Sequence, residues 1–343
     1  MSASNHCHHW DAGVLLKALA MALAVLVPAA PAVAGRVEVP IYGGQVGGPV
    51  RVWVTLQIGD SAPIKAALDT GSVGLTVLRS AIPEGTELAE GPVSDAAFGS
   101  GDVLHGRVSR AAVALDGAAA ADMPLLVVDS VGCVPQKPQC DAGKLAFADY
   151  RLMSEGAAGV GFQALLGIGL GNSTIGHPLT SIDVSRWIVD LPMRDDNHLG
   201  RLILDPTDAE VEGFQLFHSE TAFVGPLGTL GGAFPGCITL QSSGERLCLP
   251  ICFDTGATSL DLQSRDQRLF QRLQSAGKFS LEFGQGANRL AFDLALPPIF
   301  FQLDPPGEDR RSPRQALFAG LHPYLRYKVL YDYTNDQVGL KPH

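Results

Sequence analysis

The sequence predicts an all-β protein built from two similar halves, on three observations. Glycine and proline are abundant, 39 and 23 of 343 residues, and divide the chain into short Val- and Leu-rich runs of strand length. The segment ALDTGSVGL at 67–75 returns 185 residues later as CFDTGATSL at 252–260. Each copy is followed by an apolar stretch closed by a small residue and glycine, ALLGIG at 164–169 and ALFAGL at 316–321. A single Asp-Thr-Gly is a common strand-end turn. Two in matched contexts point to a duplication in which Asp69 and Asp254 face each other.

In chain order, the first segment is set aside. Residues 18–27 form an apolar run after Lys17, Pro28 and Pro31 break it, and Ala32, Val33 and Ala34 offer small residues at a cleavage position. This is the pattern of a secretory signal peptide, 1–34, cut after Ala34, so the protein is expected to be secreted or periplasmic. The run, about ten residues, is shorter than the roughly 20 of a spanning helix. No membrane association is expected after cleavage; an uncleaved anchor is the alternative. The remaining 309 residues (343 minus 34) suffice for two domains with real cores, placed at 35–194 and 195–343. Lys17 and Asp11 cancel, so the mature chain keeps the net charge of −10, which argues against a nucleic-acid partner.

Each Asp-Thr-Gly segment reads as a buried strand ending in a tight turn that presents a carboxylate. The glycines at 167 and 320 suit strands passing close under those turns. GIGLG at 167–171 is no dinucleotide loop: its third glycine comes too early and no βαβ pattern surrounds it. Five cysteines survive processing, and an oxidising compartment favours pairing. Cys133 and Cys140 close a small loop around two prolines. Cys237 and Cys248 flank the hairpin turn Ser242-Ser243-Gly244, which would leave Cys252 buried and free; Cys248 with Cys252 is the other pairing. No histidine lies at ligand spacing from these thiols, so no metal and no cofactor is expected. Residues 265–278 have apolar positions at helical spacing and predict a surface helix.

Together, the paired Asp-Thr-Gly turns and the paired apolar-Gly strands resemble the pepsin-like aspartic proteases. The resemblance runs over most of the mature chain. Residues 50–75 look like that family's opening strands, and Phe98-Gly99-Ser100-Gly101 with 103–115 like its flap hairpin. Residues 187–205 look like the crossover between lobes, with 194–198 as linker, and 321–342 match the closing aromatic strand, Asp-containing turn and Val-Gly-Leu. It implies a bilobal fold, two pseudo-two-fold-related β-barrel-like lobes with an active-site cleft between them. It also implies a monomeric endopeptidase whose partner is a polypeptide substrate. The 34 residues between the cleavage point and Asp69 match the family's first strands and leave no room for an inhibitory propeptide.

The chemistry follows from the carboxylate pair. Two carboxylates in contact cannot both ionise cheaply, so they share a proton and titrate as a unit. The ionised member can take a proton from a water between them while the protonated member donates to the scissile carbonyl oxygen. Gly71 and Gly256 would let the turns approach. By the resemblance, Thr70 and Thr255 would bond across the interface and Ser72 would support Asp69. Ala257 stands at the matching second position and cannot do so, which makes the pair harder to ionise, unless Thr258 reaches the site instead. Phe98 stands where the family has a flap tyrosine, and Thr76 where it has the tryptophan that bonds to that tyrosine. These departures leave a second expectation open, a weak or inactive homologue that binds peptides or acts as an inhibitor-like module.

Overall fold

The computed structural model describes residues 35–191, 200–220, 223–225, 228–264, 266–276, 278–284, 289–295, 300–302 and 315–343. The expected signal peptide, the linker at 194–198 and the domain boundary at 194/195 lie outside them.

The described chain is mostly β-strand, as the sequence predicts. Strands β1 (Val37–Gln45), β2 (Val50–Ile58), β3 (Ile64–Asp69), β4 (Val73–Leu78), β5 (Ala89–Ala97), β6 (Asp102–Leu115), β7 (Ala121–Cys133) and β8 (Ala164–Ile168) come first. Then follow β9 (Gly171–Ser173), β10 (Arg186–Asp190), β11 (Gly200–Leu204), β12 (Gln215–His218), β13 (Phe223–Gly225) and β14 (Gly228–Leu230). The last set is β15 (Ala233–Leu240), β16 (Arg246–Cys252), β17 (Asp261–Ser264), β18 (Lys278–Phe283), β19 (Leu290–Ala295), β20 (Phe300–Gln302), β21 (Gln315–Phe318), β22 (Tyr327–Asp332) and β23 (Gln337–Pro342).

The duplication in sequence is a duplication in topology. In the first half, β3 pairs antiparallel with β2 and parallel with β8; β8 runs antiparallel to β4, which is parallel to β7. In the second half, β16 pairs antiparallel with β15 and parallel with β21; β21 runs antiparallel to β17, which is parallel to β20. The order β2-β3-β8-β4-β7 therefore recurs as β15-β16-β21-β17-β20. In both sets the apolar-Gly strand slots between the strand that leads into the Asp-Thr-Gly turn and the strand that leaves it.

Side-chain alternation explains why these strands are apolar nearly throughout. Ala66 and Leu68 of β3, Leu125 and Val127 of β7, and Leu166 of β8 fall in the main core. Their neighbours Ala67, Leu126, Val128 and Leu165 fall in a second core. Successive residues point to opposite faces, and both faces are covered, so apolar side chains are favoured at nearly every position. A further set of strands joins the beginning, middle and end of the chain: β11 pairs with β1 and β10, β10 with β22, and β22 with β23. Trp187 and Tyr331 stack there at 5.8 Å between centroids.

The cysteines pair as Cys133–Cys140 and Cys237–Cys248, the latter directly opposite in β15 and β16, with Cys252 buried and free. The predicted helix spans Gln267–Ala276 and buries Leu269 and Leu273, one turn apart. No helix among the described residues is long and apolar enough to cross a membrane.

Candidate active site

The two Asp-Thr-Gly turns meet. Asp69, the last residue of β3, is buried, and its Oδ1 accepts the Gly71 amide at 2.8 Å while Oδ2 accepts the Ser72 hydroxyl at 2.6 Å. Asp254 lies two residues beyond β16 and accepts the amides of Gly256 at 2.8 Å and Ala257 at 3.2 Å, both on Oδ1. Ala257 offers no hydroxyl, and among the described hydrogen bonds of Asp254 none comes from Thr258. The threonines clasp crosswise: each backbone N–H donates to the other's Oγ1 at 3.0 Å. Thr70 Oγ1 donates to the Phe253 carbonyl at 3.1 Å and Thr255 Oγ1 to the Leu68 carbonyl at 2.7 Å.

The glycines explain how close the turns come. A Cβ on Gly71 would lie 2.3 Å from Cγ of Asp254, and one on Gly256 would lie 2.7 Å from Oδ1 of Asp69. Each glycine thus sits against the opposite carboxyl, and only a residue without a side chain fits. The strands beneath are equally tight. A Cβ on Gly167 would lie 2.7 Å from the Ser72 hydroxyl, and one on Gly320 2.5 Å from the Ser259 carbonyl.

Burial, then the facing Asp69 carboxylate and the hydrogen bond between the two carboxyls, push Asp254 well above the usual carboxylate range; the Gly256 amide opposes this. Asp69 is supported by an amide and a hydroxyl, Asp254 by two amides.

Beneath the clasp the two halves differ in a way no motif announced. Thr70 Oγ1 spends its proton on Phe253, so it accepts from the Tyr324 hydroxyl at 2.7 Å, which in turn accepts from Tyr331 at 2.5 Å. Both tyrosines are buried, and burial raises both above the ordinary phenol range. The only trace in the sequence is an aromatic-rich closing strand. A second unannounced residue is Arg51 in β2, whose Nη1 donates to the Gly256 carbonyl at 2.5 Å.

Phe98, Gly99 and Ser100 lie at the tip of the β5–β6 hairpin, whose bonds run to the Cys133–Cys140 loop. Val134 N donates to the Gly101 carbonyl at 2.8 Å, Lys137 Nζ to the Gly99 carbonyl at 2.7 Å, and Ala142 N to the Asp102 carboxylate at 2.8 Å. Ser100 Oγ donates to that same carboxylate at 2.8 Å. Phe98 is half-buried and packs against the second core. Thr76 is buried within the sheet, in register with Leu126 and Leu165. The tip is thus oriented by a disulfide-closed loop and a buried aspartate.

Among the described residues no group of three or more His, Cys, Asp or Glu is placed to hold a metal ion. The chain matches no protein-family model and no curated protein.

Proposed function

We propose that the protein is a bilobal aspartic endopeptidase of the pepsin type, hydrolysing peptide bonds with a water activated between Asp69 and Asp254. The observation that carries this reading is the meeting of two Asp-Thr-Gly turns, each glycine packed against the opposite carboxyl and the two threonines clasped between them. A strand-end turn needs none of this; a shared-proton pair needs all of it.

The raised Asp254 supports the following division of parts. Asp69, ionised, takes a proton from the water, whose oxygen attacks the scissile carbonyl carbon. Asp254, protonated, gives its proton to the carbonyl oxygen. The resulting gem-diol collapses as the proton now on Asp69 passes to the leaving nitrogen and one hydroxyl proton of the diol returns to Asp254, and the C–N bond breaks. No covalent intermediate forms. The recurring five-strand order supports the two-lobed reading, and the two disulfides fit an oxidising compartment, secreted or periplasmic.

A second reading, a pepsin-like protein that holds polypeptides without cutting them, is favoured by Ala257, which leaves Asp254 without the hydroxyl that Asp69 has from Ser72. One assay separates the two: pepstatin-sensitive hydrolysis of an unstructured polypeptide between about pH 3 and pH 7, with Asp69→Asn and Asp254→Asn as controls. Cleavage abolished by either substitution supports the endopeptidase. Cleavage indifferent to both sinks the mechanism, and no cleavage across the range favours the binding protein.

A further inference from the structure

Arg51 is the only buried lysine or arginine among the described residues, 8% exposed. A guanidinium removed from water needs a counter-charge and partners for its N–H groups, or it destabilises the fold. Arg51 is incompletely provided for. Nη1 donates to the Gly256 carbonyl at 2.5 Å and Nη2 pairs with Oε1 of Glu155, but Nε, shut away from solvent, has no hydrogen-bond partner among the described residues. A guanidinium and a carboxylate meet best through two parallel N–H bonds. Glu155 supplies one.

Glu155 is also poorly suited to be a permanent partner. Its side chain is 41% exposed, its backbone is left-handed at φ 51°, and its stem is steadied against Gly47, where a Cβ would lie 3.3 Å from Cγ of Glu155. Its carboxylate can swing into water without unpacking a core. Gly256, whose carbonyl Arg51 holds, is the glycine that packs against Asp69. The cation therefore lies directly against the second Asp-Thr-Gly turn, on a chain of net charge −10 that otherwise repels acidic ligands.

We propose that Arg51 is the centre of a carboxylate-binding subsite beside the Asp254 turn, filled by Glu155 in the free protein and taken over by a carboxylate of the bound polypeptide. This rests on the reading that a polypeptide lies along these turns. The incoming group is an acidic side chain or a chain-terminal carboxylate; bonding through both Nε and Nη2, it satisfies the N–H that Glu155 leaves unmet.

The test is binding to the Asp254→Asn protein, followed by fluorescence anisotropy. The probes are unstructured labelled peptides carrying Glu or Gln at each position in turn, with free or amidated C-termini. At one position Glu should bind about tenfold tighter than Gln, the weight of one charge-assisted hydrogen bond. Adding Glu155→Gln should tighten the acidic peptide by a similar factor, and adding Arg51→Gln should erase the preference while the Gln peptide still binds. An effect lost on amidation identifies the terminal carboxylate; one retained identifies the side chain. Equal binding of Glu and Gln peptides, with Glu155→Gln lowering only the melting temperature, would make the pair structural and overturn the proposal. Acid-selective binding without cleavage of any peptide by the native protein defeats the endopeptidase and leaves the subsite standing. Cleavage without acid preference defeats the subsite alone, and no binding of any peptide defeats both.

Discussion

Replacing Asp254 by Asn should make the protein more stable, and by an amount that depends on pH. Asp254 is raised above its ordinary value of 3.8 by burial first and by the facing Asp69 second. A group raised on folding contributes stability that is fully present below its unfolded pKa and is lost as pH rises through the folded one. Each unit of displacement is worth about 1.4 kcal/mol. An asparagine at 254 is neutral throughout. Its Oδ1 still accepts the Gly256 and Ala257 amides, and its Nδ2 donates to Asp69 where two carboxyls formerly competed. At pH near 4 the variant and the parent should melt together. At pH 8 the variant should melt higher than the parent, by roughly 2–4 °C for each kcal/mol that the buried pair no longer costs, trimmed by the partial solvent contact that Asp254 keeps. Asp69→Asn removes only the second cause and should gain less. Differential scanning calorimetry across that pH range measures all three proteins. A variant that melts at or below the parent at pH 8, or whose gain is the same at both ends, would refute the shared-proton reading.

Four further outcomes follow from the same geometry. Ala257→Ser gives Asp254 the hydroxyl that Asp69 already has from Ser72 at 2.6 Å; stabilising the anion should move the alkaline limb of the cleavage profile, where Asp254 loses its proton, down by up to about one pH unit, and a limb that stays or rises contradicts the argument. Gly71→Ala drives a methyl group into the Asp254 carboxyl and should cut turnover about a hundredfold or more, whereas Gly35→Ala, with nothing within 4 Å of the added Cβ, should leave it intact. Tyr324→Phe strands the Tyr331 hydroxyl and should cost about 1–3 kcal/mol in urea denaturation; adding Tyr331→Phe should then restore part of the loss, and simple additivity would refute the coupling. His177, buried between Trp187 and Tyr333, is pushed down to about 4 by burial. Its contribution is complete above pH 6.5 and falls as pH drops through about 4, on the order of 3 kcal/mol in all; His177→Asn should flatten that acid loss in a pH-stability curve.

What the sequence makes legible here is whatever repeats. Two copies of Asp-Thr-Gly and two apolar-Gly strands are strong signals because the same packing problem is solved twice, and each solution demands glycine where a Cβ has no room. Gly71, Gly167, Gly256 and Gly320 are all of this kind. The disulfides are readable for a similar reason: Cys237 and Cys248 flank a turn, so hairpin register alone brings them together. What escapes the sequence is whatever occurs once. Arg51 sits in a Val-Arg-Val-Trp-Val strand, and nothing in that pattern says that its guanidinium will reach a carbonyl 205 residues away. Tyr324 reads as one more aromatic in a closing segment, yet its hydroxyl meets Thr70 across 254 residues. Such contacts depend on the relative placement of strands far apart in sequence, which no local period encodes. The hairpin tip shows the same limit: Phe98 stands where the resemblance implies a tyrosine, while the tip's anchorage comes from Lys137, Asp102 and the Cys133–Cys140 loop.

The singular contacts fall unequally on a site whose frame is symmetric: Arg51 holds the second turn at Gly256, and Tyr324 holds the first at Thr70. Asp69 accepts the Gly71 amide and the Ser72 hydroxyl, whereas Asp254 accepts two amides and, with a methyl group at 257, no hydroxyl from that position. Tyr324 and Tyr331 anchor Thr70, and among the described residues no comparable hydroxyl pair stands under Thr255. A symmetric pair would share its proton evenly and leave the identity of base and acid to the substrate. Burial of Asp254 instead biases the proton toward it, and under the proposed mechanism that would make Asp254 the donor to the carbonyl oxygen. The contrast extends to pH. His177, kept neutral by burial, gives its full contribution above pH 6.5 and loses it as pH falls through about 4, whereas Asp254 gives its full contribution below 3.8 and loses it as pH rises through its raised value. The two slopes oppose each other between about pH 4 and 6.5, so stability should vary little there. His177→Asn removes one of them and should expose a stability that falls with rising pH across that range; a curve that stays flat in the variant would refute the opposition.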